Sequence, residues 1–317
     1  MEKVLKGKNA VVTGGGRGIG RGIALALAEA GANVVVNDIG GELNGVGTSS
    51  TPADEVAAEI NKMGDVKGVA NYDSVAEYES AGKIIQSCVD NFGSIDILVM
   101  PAGISTLGQC YEMSPEMFDN MIKVHLYGQF YPSQFAAKHM MKQKWGRIIG
   151  FSSLAAFGMY GGCHYAAAKA GVSGLMTSMA LELAEFGITV NYIYPGGRTR
   201  LTFGPGGKEH WDELLQAGQI NQTRYDRIME TPGPEYVAPM VVYLASDYGA
   251  GITGAGIGSQ GGKVSIYGIG EELKSVYKDF RKGGPWTIEE LKRVIPWTIE
   301  AYSRELEAHK AIPEDFG

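Results

Sequence analysis

The sequence predicts a single doubly wound α/β domain: a parallel sheet with helices on both faces, followed by a short helical extension. Three observations carry that expectation. Short apolar runs alternate with helical stretches from residue 9 onward. The runs are continuously apolar, as strands buried on both faces are, rather than alternating. Each run is separated from the next by a stretch long enough for a right-handed helical crossover.

"NAVVTG" (9–14) reads as a buried strand and "RGIALALAEAG" (21–31) as a helix closed by Gly31. "NVVVND" (33–38) is the next strand and "ADEVAAEINKMG" (53–64) the next helix. "GVANYD" (68–73), "IDILVMPAG" (95–103), "GRIIGFSS" (146–153) and "ITVNYIYPG" (188–196) continue as strands, with helices at 75–91, 115–143 and 162–186 between them. Residues 201–234 turn to Gly, Pro and polar residues, and after residue 263 the strand rhythm is lost. Neither stretch reads as an interdomain linker. The expected organisation is a domain over 1–262, with 201–234 inserted, and an extension over 263–317. That extension holds a near-repeat, "PWTIEEL" and "PWTIEAY". Thr287 with Glu290 forms a capping box and Trp286 with Leu291 a hydrophobic staple. Leu291, Val294 and Ile295 make one apolar stripe, and Ile299, Tyr302 and Leu306 another. The chain's own domain and a neighbouring subunit both stand as surfaces for these helices to pack on.

The 317 residues are 44% hydrophobic and 20% charged with a formal net charge of -7, an ordinary balance for a soluble globular protein. Mild acidity argues against nucleic acid or an anionic membrane as the main partner. Cys88, Cys110 and Cys163 form no CxxC pair and leave an odd thiol, which fits a reducing compartment better than a disulfide framework or a zinc site. No metal centre is expected. "MEKVLKGKNAVV" lacks the features of a signal peptide, no run approaches eighteen apolar residues, and "EDFG" is not a peroxisomal-type tag. The expectation is a cytoplasmic protein.

The chemistry starts at "TGGGRGIG" (13–20), between the first strand and the first helix. It is not a literal GxGxxG, but Gly14, Gly18 and Gly20 stand at GxxxGxG spacing. Glycines there allow a tight turn and close approach of backbone N–H groups to a pyrophosphate; the plain alternative is a flexible turn. Asp38, ending the second strand, is placed to accept both ribose hydroxyls of an adenosine, and its charge repels a 2′-phosphate. It favours NAD over NADP, whereas Arg17 pulls weakly the other way; a solvated strand-end acid is the plain alternative. In "CHYAAAKAG" (163–171), spacing of four stacks Tyr165 and Lys169 on one helical stripe. A tyrosine with its ordinary value near 10 is a poor base at neutral pH, but a nearby ammonium and a positive nicotinamide both favour the phenolate. Such a phenol takes a hydroxyl proton as hydride leaves the same carbon. "GFSS" supplies Ser152 and Ser153 at a strand end to bond the substrate oxygen.

Together "TGGGRGIG", Asp38, the "SS" ahead of "YAAAK", and "YPGGRT" resemble the short-chain dehydrogenase/reductase family over residues 7 to 262. "VVVNDIGGELNGVG", "VANYDSV", "KVHLYGQF" and "EYVAPMVVYLAS" are similar, more narrowly, to the (3R)-hydroxyacyl-CoA dehydrogenase unit of the peroxisomal multifunctional β-oxidation enzyme. The resemblance implies a Rossmann-type fold, an NAD(P)-dependent oxidoreductase of secondary alcohols and ketones, a small-molecule substrate, and a homodimer or homotetramer. Tyr165 then acts as general acid/base with Lys169 beside it. Counting from the strand makes Ser153 the family serine and counting back from Tyr165 makes it Ser152; strand register is the firmer guide and selects Ser153. Asn71 and Tyr72 fall at the adenine, Ile19, Ala102 and Gly103 along the cofactor, and Pro195, Gly196 and Thr199 beside the carboxamide.

Some positions depart from the family pattern. "NNAG" becomes "MPAG" (100–103), with Met100 and Pro101 for two asparagines. His125 stands where many members have an asparagine feeding a water chain, and reads equally as a proton relay or a satisfied helix histidine. His164 faces elsewhere on its helix, as pocket wall or surface. By the same resemblance 201–234 closes over substrate, with Trp211 and Tyr225 as apolar wall; a disordered loop is the alternative. The favoured function is an NAD-dependent dehydrogenase of a 3-hydroxyacyl-CoA or similarly bulky 3-hydroxy substrate. A free cyclic, terpenoid or steroid alcohol is the alternative within that class. A non-catalytic NAD(H)-binding sensor or scaffold is the alternative outside it, supported only by Met100 and Pro101.

Overall fold

The structure, a computed structural model, describes residues 3–203, 207–218, 220–268 and 287–294. In chain order the first half runs β1 (Asn9–Thr13), α1 (Gly18–Glu29), β2 (Asn33–Asn37), α2 (Thr51–Asn61), β3 (Gly68–Asn71), α3 (Tyr78–Phe92), β4 (Ile97–Val99) and α4 (Pro115–Ile122). The second half runs α5 (Gly128–Gln143), β5 (Gly146–Phe151), α6 (Cys163–Leu183), β6 (Ile188–Gly196), α7 (Arg200–Phe203), α8 (Gly207–Gln216), α9 (Gln222–Met229), α10 (Ala238–Ala245), β7 (Gly256–Gln260) and β8 (Lys263–Tyr267). The sheet order is β3-β2-β1-β4-β5-β6-β7-β8, parallel as far as β7. Strand order reverses between β1 and β4, and the crevice at such a switch point is where ligands bind in this architecture.

Alternation along each strand feeds two core layers. Ala10, Val12, Val34 and Val36 pack with Ile23 and Leu27 of α1, Ile60 of α2 and Val241 of α10. Val11 and Val35 point the other way, onto Ile84 of α3, Met140 of α5 and Met176 of α6. A strand buried on both faces must be apolar at every position, so these runs read as continuous rather than alternating. Leu27 and Ile84 are fully buried, and truncating either to alanine costs about 2–5 kcal/mol.

Two expectations are corrected here. The helix expected over 115–143 is three pieces: α4 and α5 are joined by a π-helical turn, Lys123–Tyr127, that carries His125. The sheet also has two strands the sequence reading left out, β7 and an antiparallel β8, so the boundary at 262 falls inside a hairpin and the sheet runs on to Tyr267. The sequence "GIGSQ" hides β7 because packing requires its glycines. A Cβ at Gly256 would lie 2.6 Å from the Tyr192 ring, and one at Gly258 2.8 Å from the Tyr267 ring.

The chain divides into two compact units, Met1–His210 with Thr231–Ile269, and Trp211–Glu230 with Gly270–Gly317. The expected loop 201–234 is largely helical, as α7, α8 and α9. Trp211 and Tyr225 belong to the second unit, where the Tyr225 hydroxyl donates to Asp212 Oδ1 at 2.5 Å. The capping box is present there: Thr287 N–H donates to Glu290 Oε2 at 2.8 Å and Glu290 N–H to Thr287 Oγ1 at 3.2 Å. Trp286, Ile295, Ile299, Tyr302 and Leu306 lie outside the described residues. Among the described residues no helix is long and apolar enough to cross a membrane.

Candidate active site

A cavity of about 690 Å³ opens at the carboxyl edge of the sheet within the first unit. Its cofactor end is built from the β1–α1 turn. Gly14, Arg17, Gly18, Ile19 and Gly20 all line it. Arg17, the residue before α1, is extended, no side chain caps the helix, and no acid occupies its first turn, so the N–H groups there are left for a ligand. Gly14 sits at φ +60, and a Cβ on it would come within 2.7 Å of the Ala102 Cα. Gly20 is equally constrained, since its Cβ would lie 2.0 Å from the Gly14 carbonyl oxygen. The backbone thus closes to a separation only glycine permits, and leaves a cradle that fits the phosphates of a dinucleotide.

Asp38 lines the cavity just beyond β2. Its Oδ2 accepts from Gly16 N–H at 3.0 Å and its Oδ1 from Gly40 N–H at 2.7 Å, which fixes the carboxylate's orientation. Each oxygen retains a lone pair for a ribose hydroxyl. Arg17 Nη1 and Arg200 Nη2 both donate to the Gly41 carbonyl, at 3.1 and 3.0 Å. Asn71 and Tyr72, expected at the adenine, are not among the lining residues. The Asn71 carboxamide is taken up by Asn37 and Asp73, at 2.8 and 2.9 Å, and the Tyr72 hydroxyl turns outward to donate to Asp54. Asp73 and Ser74 take that part of the wall instead. The expected contacts fall one residue short of Asp73 because "NYD" offers three polar candidates in a row at the strand end.

Ala102, Gly103, Pro195, Gly196 and Thr199 line the middle of the cavity. Met100 does not: it is fully buried, and the Ser133 hydroxyl points at its sulfur from 3.4 Å. The departure from asparagine at that position is therefore a core substitution. Pro101 does line the cavity.

The two serines after β5 both line the cavity but bond differently. Ser152 is buried, donating to the Lys169 carbonyl at 2.8 Å and lying 3.0 Å from Ser173 Oγ. Ser153 caps the short 3-10 turn Leu154–Phe157 by accepting from Ala155 N–H at 3.2 Å, and its hydroxyl also reaches toward Tyr165. On α6, Lys169 is fully enclosed and its Nζ donates to the Phe151 carbonyl at 2.7 Å. Burial brings the ammonium down to about 7. The same Nζ stands 5.6 Å from the centre of the Tyr165 ring. Burial raises the Tyr165 phenol above its ordinary value, with the bond from Ser153 opposing. The expected lowering is thus absent from the cavity as it stands. Desolvation outweighs the ammonium, which is aimed at the Phe151 carbonyl rather than at the phenolic oxygen.

His125 packs edge-to-face on Tyr165 with ring centres 5.0 Å apart. Its Nε2 lies 3.0 Å from Ile104 N and 2.9 Å from Ile104 O, while Nδ1 has no partner. Burial first, then the Lys169 charge, holds it well below its ordinary value, so it is a neutral wall group at pH 7. It also explains Gly103, whose Cβ would lie 2.5 Å from His125 Cε1. A π-helical turn widens the backbone, and such turns recur at functional sites. His164, expected as wall or surface, is neither. It is completely buried, and its Nε2 meets the Thr106 hydroxyl at 3.0 Å.

Residues 8–202 match the family model for short chain dehydrogenase. The chain is 39% identical to the mouse peroxisomal multifunctional enzyme type 2 over 242 residues, which are 76% of this chain but only 30% of that enzyme. It is 38% identical to the 3-oxoacyl-[acyl-carrier-protein] reductase of Staphylococcus aureus over 256 residues, 80% of this chain and 97% of that one. Among solved structures, a short chain dehydrogenase from Mycobacterium avium superposes with a TM-score of 0.76 at 34% identity, covering 94% of this chain and 96% of its own. With a glycine turn, a strand-end serine and a Tyr-x-x-x-Lys helix around one cavity, the chain belongs to the short-chain dehydrogenase/reductase family of oxidoreductases.

Proposed function

We propose that the protein is an NAD-dependent dehydrogenase that interconverts a secondary alcohol and a ketone. The observation that carries this reading is the convergence of Ser153, Tyr165 and Lys169 on one cavity that also contains the glycine cradle and Asp38. The nicotinamide cofactor, when bound, supplies the hydride acceptor or donor. Gly14, Gly18, Gly20 and the α1 N–H groups would hold its phosphates, and Asp38 its adenosine ribose. Ser153 bonds the substrate oxygen and turns it toward the phenol. Tyr165 moves the proton at that oxygen, and Lys169 holds the nicotinamide ribose and supports the phenolate. His125 keeps water from the back of the phenol ring.

For substrate we favour a 3-hydroxyacyl thioester or a similarly bulky 3-hydroxy compound. The Staphylococcus reductase, whose name places it on a 3-oxoacyl-[acyl-carrier-protein], aligns with this chain at 38% identity along 97% of its length. One observation favours a free cyclic, terpenoid or steroid alcohol instead. Ile104, Leu107, Met121, Val124 and Met159 make the catalytic end apolar. Among the described residues, the cationic side chains on the wall are Lys169 and the Arg17–Arg200 pair tied to the loop after Asp38. NADH formation measured against paired 3-hydroxyacyl-CoA thioesters and free secondary alcohols, with NADP in parallel and Tyr165→Phe as control, separates these readings. Turnover of thioesters that Tyr165→Phe abolishes supports the first, and turnover of free alcohols alone supports the second. Binding of NADH without turnover of anything would overturn both.

A further inference from the structure

The segment that follows β4, residues 101–107, walls the substrate end of the cavity, and it is held from behind by two buried imidazoles. His125 meets both main-chain atoms of Ile104. His164 meets a side chain, Thr106, whose hydroxyl belongs to a residue on the cavity wall. His164 has no exposed surface and does not line the cavity itself. A completely buried imidazole is costly unless it is bonded, and the bond this one makes goes to a cavity-lining hydroxyl.

The geometry points to Thr106 as a substrate-recognising hydroxyl, with His164 as the positioning residue that turns its lone pairs into the cavity. This rests on the dehydrogenase reading above. A neutral imidazole has one N–H and one bare nitrogen, and a hydroxyl has one proton and two lone pairs. Burial holds His164 below its ordinary value, so it is neutral. Nδ1 makes no other hydrogen bond, and with the ring proton placed there the ring's one bond joins Nε2 to Thr106. Nε2 is then bare and accepts from Thr106. The hydroxyl's proton is committed backward and only its lone pairs remain for a ligand. Thr106 thus selects substrates that carry a hydrogen-bond donor, a second hydroxyl or an amide N–H, beside the reacting carbon. Because His164 directly precedes Tyr165, the same first turn of α6 sets both the phenol and this selector.

Two measurements test it. The chain has five histidines, so histidine-selective ¹⁵N NMR reads the His164 tautomer without any turnover. The expected result is a protonated Nδ1 and a bare Nε2 whose resonance moves in Thr106→Val. A protonated Nε2 would overturn the orientation. In kinetics with donor-bearing substrates, Thr106→Val and His164→Phe each raise KM by about three- to tenfold, as the loss of one neutral hydrogen bond does, with kcat held within about twofold. The double variant is no worse than Thr106→Val, and His164→Gln, which keeps an amide oxygen near Nε2, recovers most of the loss. Substrates lacking the donor show no change. Equal effects on both substrate classes, or additive losses in the double variant, would make His164 a packing residue only. A wild-type protein that shows the expected tautomer but turns nothing over would sink the dehydrogenase reading and, with it, the selector role, leaving only the hydrogen bond.

Discussion

The Lys169 ammonium donates to the main-chain carbonyl of Phe151 at 2.7 Å, at the end of the strand that delivers both serines. It is wholly enclosed, and burial lowers it to about 7. In the unfolded chain the group titrates near 10.5. The fold therefore disfavours the charged form: the penalty is complete below pH 7 and fades as pH rises from 7 toward 10.5. A ligand whose hydroxyls accept from Nζ reverses part of that shift. NADH binding at pH 8 should accordingly take up protons, and affinity should fall as pH rises above 7. Calorimetry in buffers of different ionisation enthalpy measures the uptake directly. Heats independent of buffer, or uptake that survives Lys169→Met, would show that Lys169 is not the group responsible.

Ser152 and Ser153 divide between stability and chemistry. Ser152 is buried and bonds into α6, so Ser152→Ala removes one bond to the Lys169 carbonyl and one contact to Ser173, which still reach each other and Tyr194, at a cost of about 1–2 kcal/mol. That corresponds to a melting temperature lower by about 2–8 °C, with kcat changed by less than about threefold. Ser153→Ala removes the hydroxyl that reaches Tyr165, and kcat should fall by about 10²-fold or more, while the lost cap on Ala155 N–H lowers melting by only a few degrees. Thermal melts and steady-state rates on the two variants check both halves. A rate loss confined to Ser152→Ala would reverse the assignment.

Strands β1 to β6 of a parallel sheet were legible in the sequence because burial on both faces leaves continuous apolar runs. Gly14 and Gly20 were legible because the backbone closes to distances that exclude a Cβ. What escaped depends on contacts between distant segments. Gly256 and Gly258 look unlike strand residues until the rings of Tyr192 and Tyr267 are in place over them. Met100 read only as a departure from the family's asparagine until Ser133 and the core closed around it. Asn71 lost its expected place to Asp73 because its amide bonds across to Asn37, a pairing set by strand register and invisible in either segment alone. His164 read as pocket wall or surface because the partner that buries it, Thr106, lies 58 residues away.

Gly14→Ala tests the cradle. A β-carbon at φ +60 costs roughly 1–2 kcal/mol in backbone strain alone, before its contact with Ala102 at 2.7 Å is relieved. Relief requires the β1–α1 turn and the segment after β4 to separate, which displaces the N–H groups meant for phosphate. The expected outcome is a melting temperature lowered by several degrees and NADH affinity weakened by more than about tenfold, read by fluorescence titration. Ala102→Gly in the same chain should restore part of both, because it removes the Cβ that lies 3.3 Å from the introduced carbon. Unchanged NADH affinity in Gly14→Ala would mean that the phosphates lie elsewhere.

Asp38 decides between the two nicotinamide cofactors, and the outcome is a contest of charges. Its carboxylate is fixed by Gly16 and Gly40 N–H groups, so it cannot swing away from a 2′-phosphate. Arg17 and Arg200 supply opposing attraction, but each already spends a guanidinium N–H on the Gly41 carbonyl. The carboxylate, held in one orientation, should prevail, giving NAD at least about tenfold preference in kcat/KM. Asp38→Asn keeps the size of the group and removes its charge. It also leaves one carbonyl oxygen to serve two N–H donors, so NAD affinity should fall by about three- to tenfold. NADP affinity should rise, because the two arginines are then unopposed, and the rise should vanish in Asp38→Asn with Arg17→Ala and Arg200→Ala. Cofactor titrations at fixed ionic strength resolve the two effects. NADP preference in the wild-type protein would show that the arginine pair outweighs the carboxylate and would reassign the cofactor.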